Sequence, residues 1–211
     1  MSRRPMPLAN NNSMEVYFTI EKTATAEFKD RGSKFLAYAW PVKTADQVKD
    51  CLQEVKKEHP KATHHCFAYR LGTDGLQFRA NDDGEPSGTA GKPILGQIDS
   101  KQLTDVLVVV VRYFGGTLLG APGLINAYKM STAMVLQLIP VVQKNVESKY
   151  HLSFDYTIMN EIMTVLKQQN CTIYMQELQL FCAMEIGIPK AVQELTLLKL
   201  HDIRGLEIKK I

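Results

Sequence analysis

The stretch Asp105-Val106-Leu107-Val108-Val109-Val110-Val111-Arg112-Tyr113 decides how this chain folds. A strand with one wet face alternates apolar and polar residues, whereas the six residues from Val106 to Val111 are all aliphatic and mostly β-branched. That pattern belongs to a central strand covered on both faces. The run is far shorter than the roughly 20 apolar residues that a membrane-spanning helix needs. It also ends on an arginine. An unpaired guanidinium at the end of a buried strand is costly, so Arg112 requires a nearby carboxylate, with Asp82, Asp83 and Glu85 as candidates, or an anionic ligand.

Upstream, three strands are expected over 16–20, 24–28 and 35–40, with Arg31-Gly32-Ser33 turning between the last two. Thr44 is placed to cap a helix running to Glu58, with Val48, Leu52 and Val55 on its buried face and Pro60 beyond its end. Residues 65–70 and 76–81 read as a hairpin closed by Leu71-Gly72-Thr73-Asp74-Gly75. A polar loop, Asp82 to Gly88, leads into a short helix from Thr89 to Ile98. Downstream of the valine-rich strand, a connection from Gly115-Gly116 to Gly123 enters a helix that ends near Ile139-Pro140.

The remainder follows another rhythm: strand 146–155, helix 159–169, strands 171–177 and 179–187, helix 189–201, strand 206–211. This is the β-α-β-β-α-β order of a ferredoxin-like fold. The expected class is therefore α+β, with a disordered tail over 1–13, a first domain over 14–142 and a ferredoxin-like domain over 143–211. Pro140 to Lys144 reads as the boundary.

Composition is that of an ordinary globular protein, 45% hydrophobic and 22% charged, with a net charge of +3. Residues 1–143 carry 17 Lys/Arg against 14 Asp/Glu, while 144–211 carry 8 of each. A strongly basic nucleic-acid-binding face is not announced by these numbers. Cys51, Cys66, Cys171 and Cys182 are widely spaced, form no C-x-x-C pair and read as buried free thiols of a reducing, cytoplasmic environment. The polar N-terminus has no apolar stretch like that of a signal peptide.

Three stretches carry more polar and glycine residues than packing requires. In His64-His65-Cys66, two adjacent histidines on a strand point to opposite faces and cannot share one metal ion. In Asp82-Asp83-Gly84-Glu85-Pro86-Ser87-Gly88-Thr89-Ala90-Gly91-Lys92-Pro93, the carboxylates beside Ser87 and Thr89 would suit Mg²⁺ by chemistry, but the spacing supports no cation or other cofactor. The same carboxylates could instead cap the following helix; otherwise its free N–H groups offer an anion seat. In the third, Arg112, Tyr113 and Phe114 precede Gly115-Gly116, glycines that permit close backbone approach or positive φ. No Gly-x-Ser-x-Gly elbow or Cys–His nucleophile pair occurs.

These three stretches, continued by Leu119-Gly120, Gly123-Leu124 and Ala127-Tyr128, resemble the YigZ/Impact family over most of residues 16–140. At Ala121-Pro122 the chain departs from the Thr-Gly common in the family. The resemblance implies a first domain like the second domain of ribosomal protein S5, followed by a ferredoxin-like one. It also implies a link to translation. The expectation is an RNA- or ribosome-binding regulator rather than an enzyme, with a functional surface of His64, His65, Asp82, Asp83, Glu85, Ser87, Thr89, Lys92, Arg112, Tyr113, Gly115 and Gly116. Lys92, Arg112, Arg79 and Lys129 are the phosphate-binding candidates. The alternatives are a metal-dependent hydrolase using His64/His65 with Asp82/Asp83/Glu85, and a regulator that docks a protein partner through the C-terminal domain.

Overall fold

The computed structural model describes residues 15–211, and the expected tail over 1–13 lies outside them. The chain divides into two compact units, Tyr17–Lys144 and a second built from Asn145–Ile211 with the described residues before Tyr17.

The first unit is a five-stranded antiparallel sheet in the order β2 (Ala24–Asp30), β3 (Ser33–Pro41), β6 (Val106–Tyr113), β4 (His64–Leu71), β5 (Gln77–Asn81). The valine-rich strand β6 sits in the middle, and Val106 to Val111 are all fully buried. Its alternate residues serve two cores. Val106, Val108 and Val110 pack with Phe35, Cys66 and Ala68 beneath α2 (Gly91–Ser100) and α3 (Gly120–Gln137). Leu107, Val109 and Val111 pack with Val48 and Val55 of α1 (Ala45–Glu58) on the other side. Helices on both faces explain why this strand shows no polar alternation. Each such aliphatic side chain contributes roughly 1.5–3 kcal/mol of transfer free energy.

Helix α1 begins where the sequence indicates. Thr44 is extended, and its hydroxyl accepts a hydrogen bond from the Gln47 N–H at 3.2 Å. Leu52 is half-buried beside the buried Val48 and Val55. One expectation needs correction. Residues 120–123, read as connection, belong to the first turn of α3. Pro122 is tolerated there because the first-turn N–H groups have no intrahelical acceptor. The stretch 140–144, read as the boundary, ends where the two units divide, between Lys144 and Asn145, and contains most of β7 (Val142–Asn145), which pairs with β1 (Val16–Thr19) outside the main sheet.

The second unit has the β-α-β-β-α-β order expected for its residues: β8 (Glu147–Asp155), α4 (Met159–Gln168), β9 (Thr172–Glu177), β10 (Phe181–Pro189), α5 (Gln193–His201), β11 (Glu207–Lys210). The strands lie antiparallel in the order β11-β8-β10-β9. Leu152, Phe154, Met184 and Ile186 pack against Ile162, Leu166 and Leu200 of the two helices. All four cysteines are free. Cys66 and Cys182 are buried as expected, but Cys51 and Cys171 are only half-buried.

Candidate functional site

The site forms where β4 starts, β6 ends and α3 begins. His64 is the register partner of Arg112, and Phe35 of β3 flanks Arg112 on the other side. The long polar loop between β5 and α2 folds over this end of the sheet.

Asp82 fixes that loop. One carboxylate oxygen accepts from the N–H groups of Ala90 and Gly91, at 3.0 and 2.8 Å, and the other accepts from Gly88 at 2.9 Å. Burial alone would raise its pKa, but these three backbone donors outweigh it and hold the carboxyl below its usual range. Asp82 therefore caps α2 from eight residues upstream, and the open N–H seat expected for an anion is already filled. Ala90, not Thr89, is the capping position. Thr89 is buried with its hydroxyl donating to the Pro86 carbonyl at 2.6 Å, while Ser87 stands exposed.

Asp83 turns the loop back onto β4. Its φ is +43°, followed by Gly84 at +87°. The Asp83 carboxylate accepts the His65 backbone N–H at 2.6 Å, and its carbonyl lies 2.7 Å from His64 Nδ1. A carbonyl can only accept, so Nδ1 carries the proton and Nε2 is left facing Glu85 Oε2 at 3.9 Å.

Glu85 and Arg112 form the centre. Arg112 Nη1 donates to Glu85 Oε1 at 2.7 Å, and the side chains are only 6% and 3% exposed. Tyr128 of α3 donates its hydroxyl to the same oxygen at 2.8 Å. Cys66 Sγ lies 3.3 Å from that hydroxyl and 2.9 Å from the Asp82 carbonyl. Burial pushes the Cys66 thiol far above its ordinary pKa, so it is no thiolate nucleophile. The Tyr128 phenol is raised as well, by burial and then by its buried neighbours Cys66 and Glu85. The guanidinium is flanked by the rings of Phe35 and Phe114, each centroid 5.6 Å away. Its Nε is buried without any partner. The pair expected for Arg112 is thus Glu85, and donor capacity remains unused.

Beside this pair opens a cavity of about 410 Å³. His64, Glu85 and Arg112 line it together with Phe114, Leu118 and Leu124. Phe114 and Leu118 are 47% and 82% exposed, so the rim is apolar while the interior holds buried charges.

The remaining sequence candidates do not all converge here. His65 faces the α1 side of the sheet, where Nε2 lies 3.1 Å from the His59 carbonyl. Burial lowers its pKa, against the opposing pull of that carbonyl and Asp83. Tyr113 also faces that side, with its hydroxyl 2.9 Å from His59 Nδ1. The other His59 nitrogen lies 2.6 Å from Tyr38 Oη, whose pKa is pushed up to about 12 by burial and by Glu58. His59, a bridge between two tyrosines, was not singled out by any sequence motif. The His64/His65 and Asp82/Asp83/Glu85 set proposed for a hydrolase is therefore split across the sheet. Among the described residues no group of three or more His, Cys, Asp or Glu is placed to hold a metal ion.

Of the phosphate candidates, Arg112 is buried and neutralised by Glu85. Lys92 and Lys129 are exposed on α2 and α3. Arg79 is exposed on β5, and its register partner Tyr69 assigns it to the α1 side. The four do not form one patch.

Gly115 and Gly116 divide the two roles open to a glycine. A Cβ on Gly115 would collide with the backbone of Gly32 and Ser33, whereas Gly116 sits in open space at φ +85°. The first lets the loop after β6 lie against the β2–β3 turn, and the second reverses the chain towards the cavity rim.

The fold and site define a two-unit α+β protein with a buried, incompletely bonded ion pair beside an open apolar cavity. Residues 31–136 match the Impact N-terminal domain. The chain is 41% identical to the IMPACT family member YvyE of Bacillus subtilis (strain 168), over 72% of this chain and 70% of that protein. It is 32% identical to the IMPACT family member YigZ of Escherichia coli (strain K12), over 84% and 88%. A crystal structure of a hypothetical protein superposes with a TM-score of 0.71 at 31% identity, over 94% of this chain and 98% of that one. The chain belongs to the IMPACT family. No helix among its described residues is long and apolar enough to cross a membrane.

Proposed function

We propose that this chain is a translation-linked binding protein that engages RNA, on the ribosome or free, through the surface around the Glu85–Arg112 pair. The observation that carries this reading is the cavity itself. It combines exposed apolar rim residues, Phe114 and Leu118, with a nearly enclosed ion pair beneath them. Stacking rings and arginine planes are the means by which proteins hold unpaired bases. Membership of the IMPACT family, whose resemblance implies translation, supports the same direction.

Phosphate contacts fall to the exposed cations. Lys92 and Lys129, exposed on α2 and α3, form no salt bridge among the described residues, so binding RNA would break no internal pair. Two neutralised phosphates would give a log–log salt slope of about −1.4 to −1.8, or a loss of about 7- to 12-fold between about 50 and 200 mM salt. Fluorescence anisotropy with a labelled, structured RNA measures this directly. Lys92→Ala should make the slope shallower by roughly 0.7–0.9. An affinity indifferent to salt, or an unchanged slope in both the Lys92→Ala and Lys129→Ala variants, would refute the reading.

Catalysis is not favoured by the geometry. The cysteine is held as a thiol, Asp82 is committed to a helix cap, and His65 faces away from His64 and Glu85.

A further inference from the structure

We infer that the strip of sheet left open between α1 and the edge strand β5 is a platform for single-stranded RNA, which stacks bases on Phe67 and Tyr69 and meets phosphates through Arg79 and Lys56. This second contact face rests on the RNA-binding reading above and lies on the opposite side of the sheet from the buried core beneath α2 and α3.

The strip exists because two helices cover one face of the five-stranded sheet and a single helix covers the other. Strand alternation brings Phe67 and Tyr69 of β4 to the α1 side, with Asn81 and Arg79 of β5 directly beside them. Both rings are half-buried, so part of each remains open to solvent. Their planes lie within 3° of each other, with centroids 6.4 Å apart. The Tyr69 hydroxyl has no hydrogen-bond partner among the described residues. The other aromatic pair on this side, Tyr38 and Trp40 of β3, is already committed, because the Tyr38 hydroxyl meets His59 at 2.6 Å.

Charge selects the occupant. None of the residues that β4 and β5 present on this side is a carboxylate, and Arg79 is exposed with no partner among the described residues. Helix α1 adds to the asymmetry. Asp50, Glu54 and Glu58 recur every fourth residue and share one flank, and Glu58 reaches the Tyr38 hydroxyl of β3. Lys49 and Lys56 share the opposite flank, and Lys56 lies close enough to His65 of β4 to oppose its protonation. The helix thus turns its acidic flank to β3 and its basic flank to the open strip. Asp83, at the His65 end of the strip, is tied to the His65 backbone N–H at 2.6 Å. On the β2–β3 side, by contrast, Glu27 pairs with both Lys29 and Lys34. Accessible rings between unpaired cations suit a single strand, whose bases stack on them while its phosphates neutralise the charge. Paired bases, already stacked in a duplex, could not use the rings.

The test is fluorescence anisotropy of the full chain with a short end-labelled oligouridylate at about 50 and 200 mM salt. Saturable, salt-sensitive binding is expected. Tyr69→Leu keeps an apolar side chain in the strip and removes the ring, and should weaken binding about 5-fold or more, as loss of one stacked base does. Arg79→Ala, at an exposed edge-strand position, should make the log–log salt slope shallower by about 0.7. Trp40 fluorescence reports whether each variant is folded, and Arg79→Ala carries the test alone should Tyr69→Leu unfold. No binding of the oligouridylate, or binding unchanged in either folded variant, overturns the inference. Competition by inorganic polyphosphate or by polyglutamate at equal charge concentration overturns it as well, since the strip would then be a bare cationic or acidic-peptide surface. If structured RNA still depends on Lys92 and Lys129 while the oligouridylate does not bind, the platform is wrong and the RNA reading stands. Oligouridylate binding that depends on Tyr69 and Arg79, without any effect of Lys92 or Lys129 on structured RNA, gives the converse.

Discussion

Replacing Glu85 by glutamine removes one charge and almost nothing else. The amide oxygen can still accept from Tyr128 and from Arg112 Nη1, so packing and bond count stay near those of the wild type. What remains is a guanidinium only 6% exposed with no counter-charge. Breaking a buried pair from one side costs about 3–5 kcal/mol. With a urea m-value of about 2 kcal/mol/M, the unfolding midpoint should fall by about 2 M. Trp40 is the sole tryptophan and stacks on Tyr38 within the first unit, so its fluorescence reports that unit alone. The double variant Glu85→Gln/Arg112→Met removes both charges and should recover much of the loss, since replacing a whole buried pair is often near neutral. A Glu85→Gln cost below about 1 kcal/mol, the size of an ordinary surface change, would refute the claim that Glu85 is the essential counter-ion.

Asp82→Asn leaves one acceptor oxygen where two now take three backbone N–H donors, and should destabilise the first unit by about 1 kcal/mol. The folded pKa of Asp82 is depressed, so its contribution is complete above the unfolded value of about 3.9. It disappears as pH falls through the folded value. Urea melts of the two proteins should therefore converge in acid, and a gap that widens there would contradict the cap. Gly115→Ala should cost about 3 kcal/mol or prevent folding, because its Cβ meets the Gly32 backbone. Gly116→Ala should cost only the left-handed backbone penalty of about 1–2 kcal/mol, and equal costs in thermal melts would contradict the geometry. Calorimetric titration with Mg²⁺ should give no saturable heat, since both Asp82 oxygens already accept backbone donors. Saturable heat lost in Asp83→Ala would overturn that.

Most of the fold was legible because local rules and tertiary structure agree. Thr44 and the 48/52/55 spacing define α1, and the unbroken valines of β6 reveal layers on both faces. The opposite orientations of His64 and His65 follow from strand geometry alone. Less legible were contacts made across the chain. Asp82 caps a helix eight residues away through a loop whose path depends on the positive φ of Asp83. Sequence arguments left Arg112 with three candidate carboxylates or an anionic ligand and could not choose, because the choice is made by that same turn. Tyr128 looked like one more family-motif residue, yet it completes the cluster. β7 was missed because a four-residue strand paired with a distant partner has too short a pattern to register. The cavity rim was invisible for a simpler reason: Leu118 resembles a core residue until its 82% exposure is seen.

The most direct test is co-sedimentation with ribosomes at about 50 and 200 mM salt, comparing the wild type with Leu118→Asp at the cavity mouth. The wild type should pellet at the lower salt and be largely released at the higher. The variant should remain in the supernatant at both while unfolding at the same urea concentration. Equal pelleting of the two proteins would show that this surface does not make the contact.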